Sequence, residues 1–207
     1  MKRLTLKGII HEATHFFTHL DSGFPYTLKR LVVAPGKMQR SYIDGDRSKY
    51  QKPFSMFFLC ATFAALALYW INSSVVKYFN AGEAQEAAFF HQYWVIMQVC
   101  MLPLHALLAF LFFGSARFNY AEAMVLQLYQ FSFLFLLLTA IHLLKFIFPH
   151  IETRYIELPL IIAYCILTNL NFFKEGSKSM IILKTIFNIG LSFFLSSFVQ
   201  DLLVKIF

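Results

Sequence analysis

Charge is scarce in this chain. Asp, Glu, Lys and Arg together make up 14% of its 207 residues, against 58% that are hydrophobic; a soluble domain usually carries about 25% charged residues. So much apolar surface exceeds what one globular core of this size buries, which excludes an ordinary soluble domain and makes lipid the expected solvent. Cysteine is equally sparse. Cys60, Cys100 and Cys165 each fall inside a long apolar run and form no CxxC pair, which argues against a zinc ribbon or a disulfide framework; small buried side chains are expected. There is no Walker A loop, no G-x-G-x-x-G and no G-x-S-x-G, so nucleotide-binding and α/β-hydrolase chemistry have no motif to rest on. Met1 to Lys7 is basic, but Lys29 and Arg30 arrive before an apolar leader core is complete. The first long apolar run, from Pro53, is therefore expected to act as an uncleaved anchor. No internal repeat or low-complexity linker is visible.

Phenylalanine, by contrast, is abundant, with 26 residues distributed over long runs. A hydrocarbon core about 30 Å thick takes roughly 20 helical residues to cross, and five stretches have about that length: 53–71, 92–113, 124–144, 158–173 and 180–199. The fold class expected is all-α, a polytopic membrane helix bundle of about five transmembrane helices over 53–207, preceded by a basic segment, 1–52. Pro159, Asn169 and Asn171 dilute the fourth run and Lys184 the fifth, so the count is four or five spans, the lower number if the last two form a re-entrant pair.

Orientation comes from the basic residues. Residues 1–52 hold ten Lys/Arg against four Asp/Glu, which is +6 of the chain's +7. This places the amino terminus in the cytoplasm, with the second and fourth loops on the same side, as in a multi-pass inner-membrane protein. Tyr69, Trp70, Tyr93 and Trp94 then lie near the outer ends of the first two spans, where aromatic belts form. Within the basic segment, Leu4, Ile9, Ile10, Ala13, Phe16, Phe17 and Leu20 recur at helical spacing, predicting an amphipathic interfacial helix. Pro25, Ala34-Pro35-Gly36 and Asp44-Gly45-Asp46 break the remainder of the segment into short pieces.

A block of motifs occupies that stretch: T-L-K-R-L (Thr27 to Leu31), A-P-G (Ala34 to Gly36), Y-I-D-G-D-R (Tyr42 to Arg47) and K-Y-Q-K-P-F (Lys49 to Phe54). With Leu20-Asp21 before it and R-F-N-Y-A-E (Arg117 to Glu122) ahead of the third span, it resembles the bacterial membrane family catalogued as domain of unknown function 3667. The resemblance is densest over residues 20–60 and implies a polytopic inner-membrane protein with no assigned activity. Many members carry an amino-terminal CxxC zinc ribbon, which this chain lacks.

Independently of the family, Arg40, Arg47, Lys49 and Lys52 put a positive patch directly before the first span, at the level of phosphate headgroups. It suits a topology-setting collar or a site for an anionic lipid or ligand. No recognition helix or aromatic platform accompanies it, so nucleic acid is not an expected partner. His11-Glu12-Ala13-Thr14-His15 matches H-E-x-x-H, which sets two imidazoles one helical turn apart with a glutamate as base. With His19 a turn further on, this stripe is a candidate zinc site, a proton-sensing cluster, or the polar face of the interfacial helix; no cofactor is otherwise implied. Inside the spans, His105 follows Pro103, and His142 lies a turn from Lys145. Lys184, Asn188, Ser192 and Ser196 recur every fourth residue beside Gly190. Polar residues at such depth face a partner helix, a second copy in a homo-oligomer, or a cavity. Three classes of function remain: a non-enzymatic component binding membrane lipids or a partner, a small transporter or channel subunit, and a membrane-bound zinc hydrolase using His11, Glu12 and His15.

Overall fold

With no water in the bilayer core, a spanning backbone must satisfy its polar groups within its own segment or in a closed barrel. The described residues take the first solution. The computed structural model describes residues 23–79, 85–114, 118–174 and 176–206, with the side chains of 85–94 and 200–206 left out of the description. Among the described residues there are seven α-helices and no strand: α1 (Gly23–Val33), α2 (Lys37–Ile43), α3 (Pro53–Phe79), α4 (Gln85–Phe113), α5 (Tyr120–His142), α6 (Arg154–Phe172) and α7 (Lys178–Ile206). A 3-10 turn, Leu143–Phe146, prolongs α5.

Five of these helices are long and apolar enough to cross a membrane: α3, α4 over Val95–Phe113, α5 with its 3-10 extension, α6, and α7 over Lys178–Val199. The architecture is that of a multi-pass membrane protein, with five helices among the described residues able to cross. α6 is a continuous 19-residue helix and α7 a 29-residue one, so each of the last two is long enough to cross by itself. Pro159 does not shorten α6: the helix runs through it from Arg154 to Phe172, and the proline costs one backbone hydrogen bond in the second turn. The first span runs eight residues beyond its expected end at Ile71. Val75 continues the buried stripe set by Leu68 and Ile71, and that packing outweighs the weak helix propensity of Asn72, Ser73 and Ser74.

The central helix is α5. Its spanning window is 61% buried, against 22% for α7, and it packs on α3, α4 and α6, while α7 leans on α4 and α6. The outward faces are apolar: Phe58, Phe63 and Leu66 on α3, Leu111 on α4, Leu167 on α6, and Phe187 and Phe194 on α7 are all exposed. That inverts the usual soluble pattern and suits contact with acyl chains. Hydroxyls inside the bundle bond back to their own helix, Ser132 to the Leu128 carbonyl and Thr139 to that of Phe135, so neither carries an unmet donor into lipid.

Residues 23–52, before the first span, are seated in the bundle rather than laid against it. α1 and α2 both pack on α5, and α2 reaches α6. Leu31 and Met38 are fully buried in a cluster with Met56, Phe57 and Phe135. The Thr27 hydroxyl accepts from the Gln51 N–H at 2.8 Å, and the Tyr129 hydroxyl donates to the Gln51 carbonyl at 2.5 Å. Between α1 and α2 the chain turns at Gly36, whose φ is +80°; a Cβ there would overlap the Thr168 carbonyl oxygen of α6. Only glycine meets both conditions. The amphipathic helix predicted over Leu4 to Leu20 lies outside the described residues.

Candidate functional site

Arg40 comes from α2 and Lys184 from α7, and the fold brings them to one cavity of about 370 Å³. Its walls are the ends of five elements that share one face of the bundle. α2 contributes Arg40 and Asp44, the end of α4 Phe113, the lead-in to α5 Phe118, the end of α6 Phe173 and Lys174, and the first turns of α7 Met180, Ile181 and Lys184. Local structure holds each part in place. Asn119 caps α5: its side chain accepts from the Glu122 N–H at 2.9 Å, while the Glu122 carboxylate accepts from the Asn119 N–H at 3.0 Å. This reciprocal capping box is the physical content of the N-Y-A-E end of the motif ahead of the third span, and it fixes Phe118 immediately before the helix.

The cavity joins an aromatic wall to a set of cations. Phe113 and Phe173 stack with centroids 4.5 Å apart, and Phe118 meets Phe173 edge-on at 5.1 Å. Lys184 Nζ lies 5.9 Å from the Phe113 ring centroid, and the Arg40 guanidinium 5.7 Å from that of Phe172, within the range in which a ring face attracts a cation. Arg40 Nε also pairs with Asp44 at 3.2 Å. Among the described residues, three cations and one carboxylate thus share a site with an apolar rim, where Met180 is exposed on α7. A phosphate attached to an apolar tail matches both halves.

The other members of the basic patch do not line this cavity. Lys49 pairs with Asp46 at 3.4 Å on the exposed surface, and the Arg47 guanidinium sits 5.7 Å from the Tyr42 ring centroid. Burial raises the Tyr42 phenol above its ordinary pKa, partly opposed by the Arg47 charge, so the ring stays neutral in its contacts with Tyr50 and Tyr129. Lys52 is exposed just before α3.

The intramembrane polar residues are dispersed. His105 is buried, its Nε2 3.1 Å from the Gln98 side-chain oxygen on the same helix, with Phe131 beside its ring. His142 lies at the opposite end from the cavity, with Nδ1 3.0 Å from the Leu138 carbonyl and 3.4 Å from Glu157. On α7, Asn188 and Ser196 are buried and Ser192 half-buried, so the predicted polar stripe faces the bundle. The Asn169 side chain donates to Thr185 at 3.0 Å, bonding α6 to α7. Cys60 and Cys165 are buried, whereas Cys100 is exposed on α4 rather than packed inside. His11, His15 and His19 lie outside the described residues; among those described, no three metal-capable side chains converge.

Sequence reasoning did not single out Asp44, Phe113, Phe118, Phe173 or Lys174 for this site. The available signal was topological: placing the second and fourth loops on the side of the basic segment brings the flanks of both loops to Arg40.

Fold and site together define a class, an all-α bundle with a basic, aromatic-walled cavity at one end of its five long apolar helices. The family described as Protein of unknown function (DUF3667) matches residues 21–65, the stretch that forms α1, α2 and the start of α3. No curated protein and no solved structure matches the chain.

Proposed function

We propose that the chain is a non-enzymatic component of the bacterial inner membrane that holds the phosphate of a lipid headgroup in this cavity, with the cavity end in the cytoplasm. The observation that carries the reading is the meeting of Arg40, Lys174 and Lys184, from three separate parts of the fold, around one aromatic-walled space beside the exposed Met180. The orientation is supported by the charges: Lys37, Lys49, Lys52 and Lys178 lie on or beside the helix starts at that end, and basic loops stay cytoplasmic. The cavity volume falls within the range of roughly 300–1,000 Å³ typical of small-molecule sites, enough for a headgroup but not for whole acyl chains, which would lie along the outer face of α7.

The test is titration of delipidated full-length protein with phosphatidylglycerol, read by native mass spectrometry, with diacylglycerol as the headgroup-free control. Each basic side chain near an anionic group is worth about 1 kcal/mol. Arg40→Gln combined with Lys184→Gln should therefore weaken binding by at least about tenfold, and Arg47→Gln with Lys49→Gln much less. Equal retention of diacylglycerol and phosphatidylglycerol, or equal losses in both double variants, would overturn the reading.

A further inference from the structure

Among the described residues, Asp44 is the one carboxylate in the cavity wall, and an anion alone has no use for it. Both of its oxygens lie 3.2 Å from Arg40 Nε, but its side chain is more than half exposed and each oxygen can accept more than one hydrogen bond. A site built only for negative charge would be stronger without it, because it both repels the ligand and occupies Arg40 Nε. We propose, building on the phosphate-lipid reading, that the cavity recognises a zwitterionic phosphoethanolamine headgroup: phosphate on Lys174, Lys184 and the Arg40 terminal nitrogens, primary ammonium on Asp44.

The chemistry is complementary at both ends. A primary ammonium offers three N–H donors and Asp44 accepts through two oxygens, a charge-assisted bond stronger than any a neutral hydroxyl makes there. The rings of Phe113, Phe118 and Phe173 line the same space, and aromatic faces attract an alkylammonium. A quaternary ammonium keeps that ring attraction but cannot donate a hydrogen bond to the carboxylate. The site should therefore rank a primary ammonium first, whereas ring attraction alone would hold a quaternary one as well.

Full-length delipidated protein is titrated separately with phosphatidylethanolamine, phosphatidylcholine, phosphatidylglycerol and soluble glycerophosphoethanolamine, and the bound species are counted by native mass spectrometry. Phosphatidylethanolamine should bind about fivefold more tightly than either other lipid, the difference expected between a charge-assisted and a neutral hydrogen bond. The soluble headgroup should bind far more weakly than the lipid. In Asp44→Asn the preference should vanish and phosphatidylglycerol should gain affinity, because Arg40 is released. Asp44→Glu should restore the order and serves as the check that the site still folds. Tighter phosphatidylglycerol binding in the wild type, or a preference unchanged by Asp44→Asn, overturns the proposal while leaving a phosphate site dependent on Arg40 and Lys184 intact. Equal binding of lipid and soluble headgroup overturns its lipid part.

Discussion

At the scale of single residues, the docking of α1 and α2 depends on a few contacts that tolerate no replacement. Gly36 combines a φ of +80° with a backbone carbonyl standing where a Cβ would go. Gly45, at φ +117°, has nothing within 4 Å of that position. Gly36→Ala therefore adds steric displacement of α6 to conformational strain, whereas Gly45→Ala carries strain alone. Strain of this kind costs about 1–3 kcal/mol. Thermal unfolding in detergent should show a clear loss for Gly36→Ala and a smaller one for Gly45→Ala; equal midpoints would mean that α2 does not sit on α6 as described. Tyr129→Phe removes the donor to the buried Gln51 carbonyl, and an unmet buried acceptor costs about 1–3 kcal/mol. Its effect should appear as faster hydrogen exchange in residues 23–52, with exchange in α7 unchanged. A uniform change along the chain would place the role of Tyr129 elsewhere.

At the scale of elements, the legible part of the sequence is the part that hydropathy and turn chemistry encode. The five spans come from run length, and their start at Pro53 from the fit of proline at a helix's first position. Helix ends were less legible. α3 passes through Asn72 to Ser74 because Ile71 and Val75 are buried on one stripe, a tertiary cause that no local window contains. The docking of α1 and α2 was legible only as turns. Thr27, Gln51 and Tyr129 are far apart in the chain, and nothing in their spacing shows that they bond. The candidate site was half legible for the same reason: Arg40 and Lys184 stood out as charges beside or within apolar runs, but Phe113, Phe118 and Phe173 looked like any of the other phenylalanines. The capping box of α5, by contrast, is local and readable as N-x-x-E. Asn119→Ala should cost about 1 kcal/mol, measured as a lowered unfolding midpoint, with a matching drop in phospholipid retention as Phe118 loses its anchor. Loss of stability without loss of retention would detach Phe118 from the site.

At the scale of the whole molecule, the asymmetry of charge between the two ends supports the proposed topology and hence the membrane face on which the cavity would open. One end gathers Arg40, Lys49, Lys52, Lys174, Lys178 and Lys184. The other carries Lys77, Lys145 and Arg154 beside Glu152 and Glu157, with Trp70 against Phe146 in the position of an interfacial aromatic. Translocating the first set would mean carrying a dense cluster of cations across the bilayer, each disfavoured at its centre by about 2.5–3.5 kcal/mol on insertion scales. The second end is nearly neutral, so the proposed reading expects the bundle to insert with the cavity facing the cytoplasm. Substituted cysteines report this directly. In a background with Cys60, Cys100 and Cys165 replaced by alanine, a cysteine at His150 should react with a membrane-impermeant maleimide in intact spheroplasts. A cysteine at Ser48 should react only after the membrane is opened. The reverse pattern would invert the bundle and move the cavity to the outer leaflet, where the positive-inside argument no longer supports a headgroup site. Labelling of both positions in intact spheroplasts would mean that the five helices do not all span, because an odd number of crossings between Ser48 and His150 requires opposite faces.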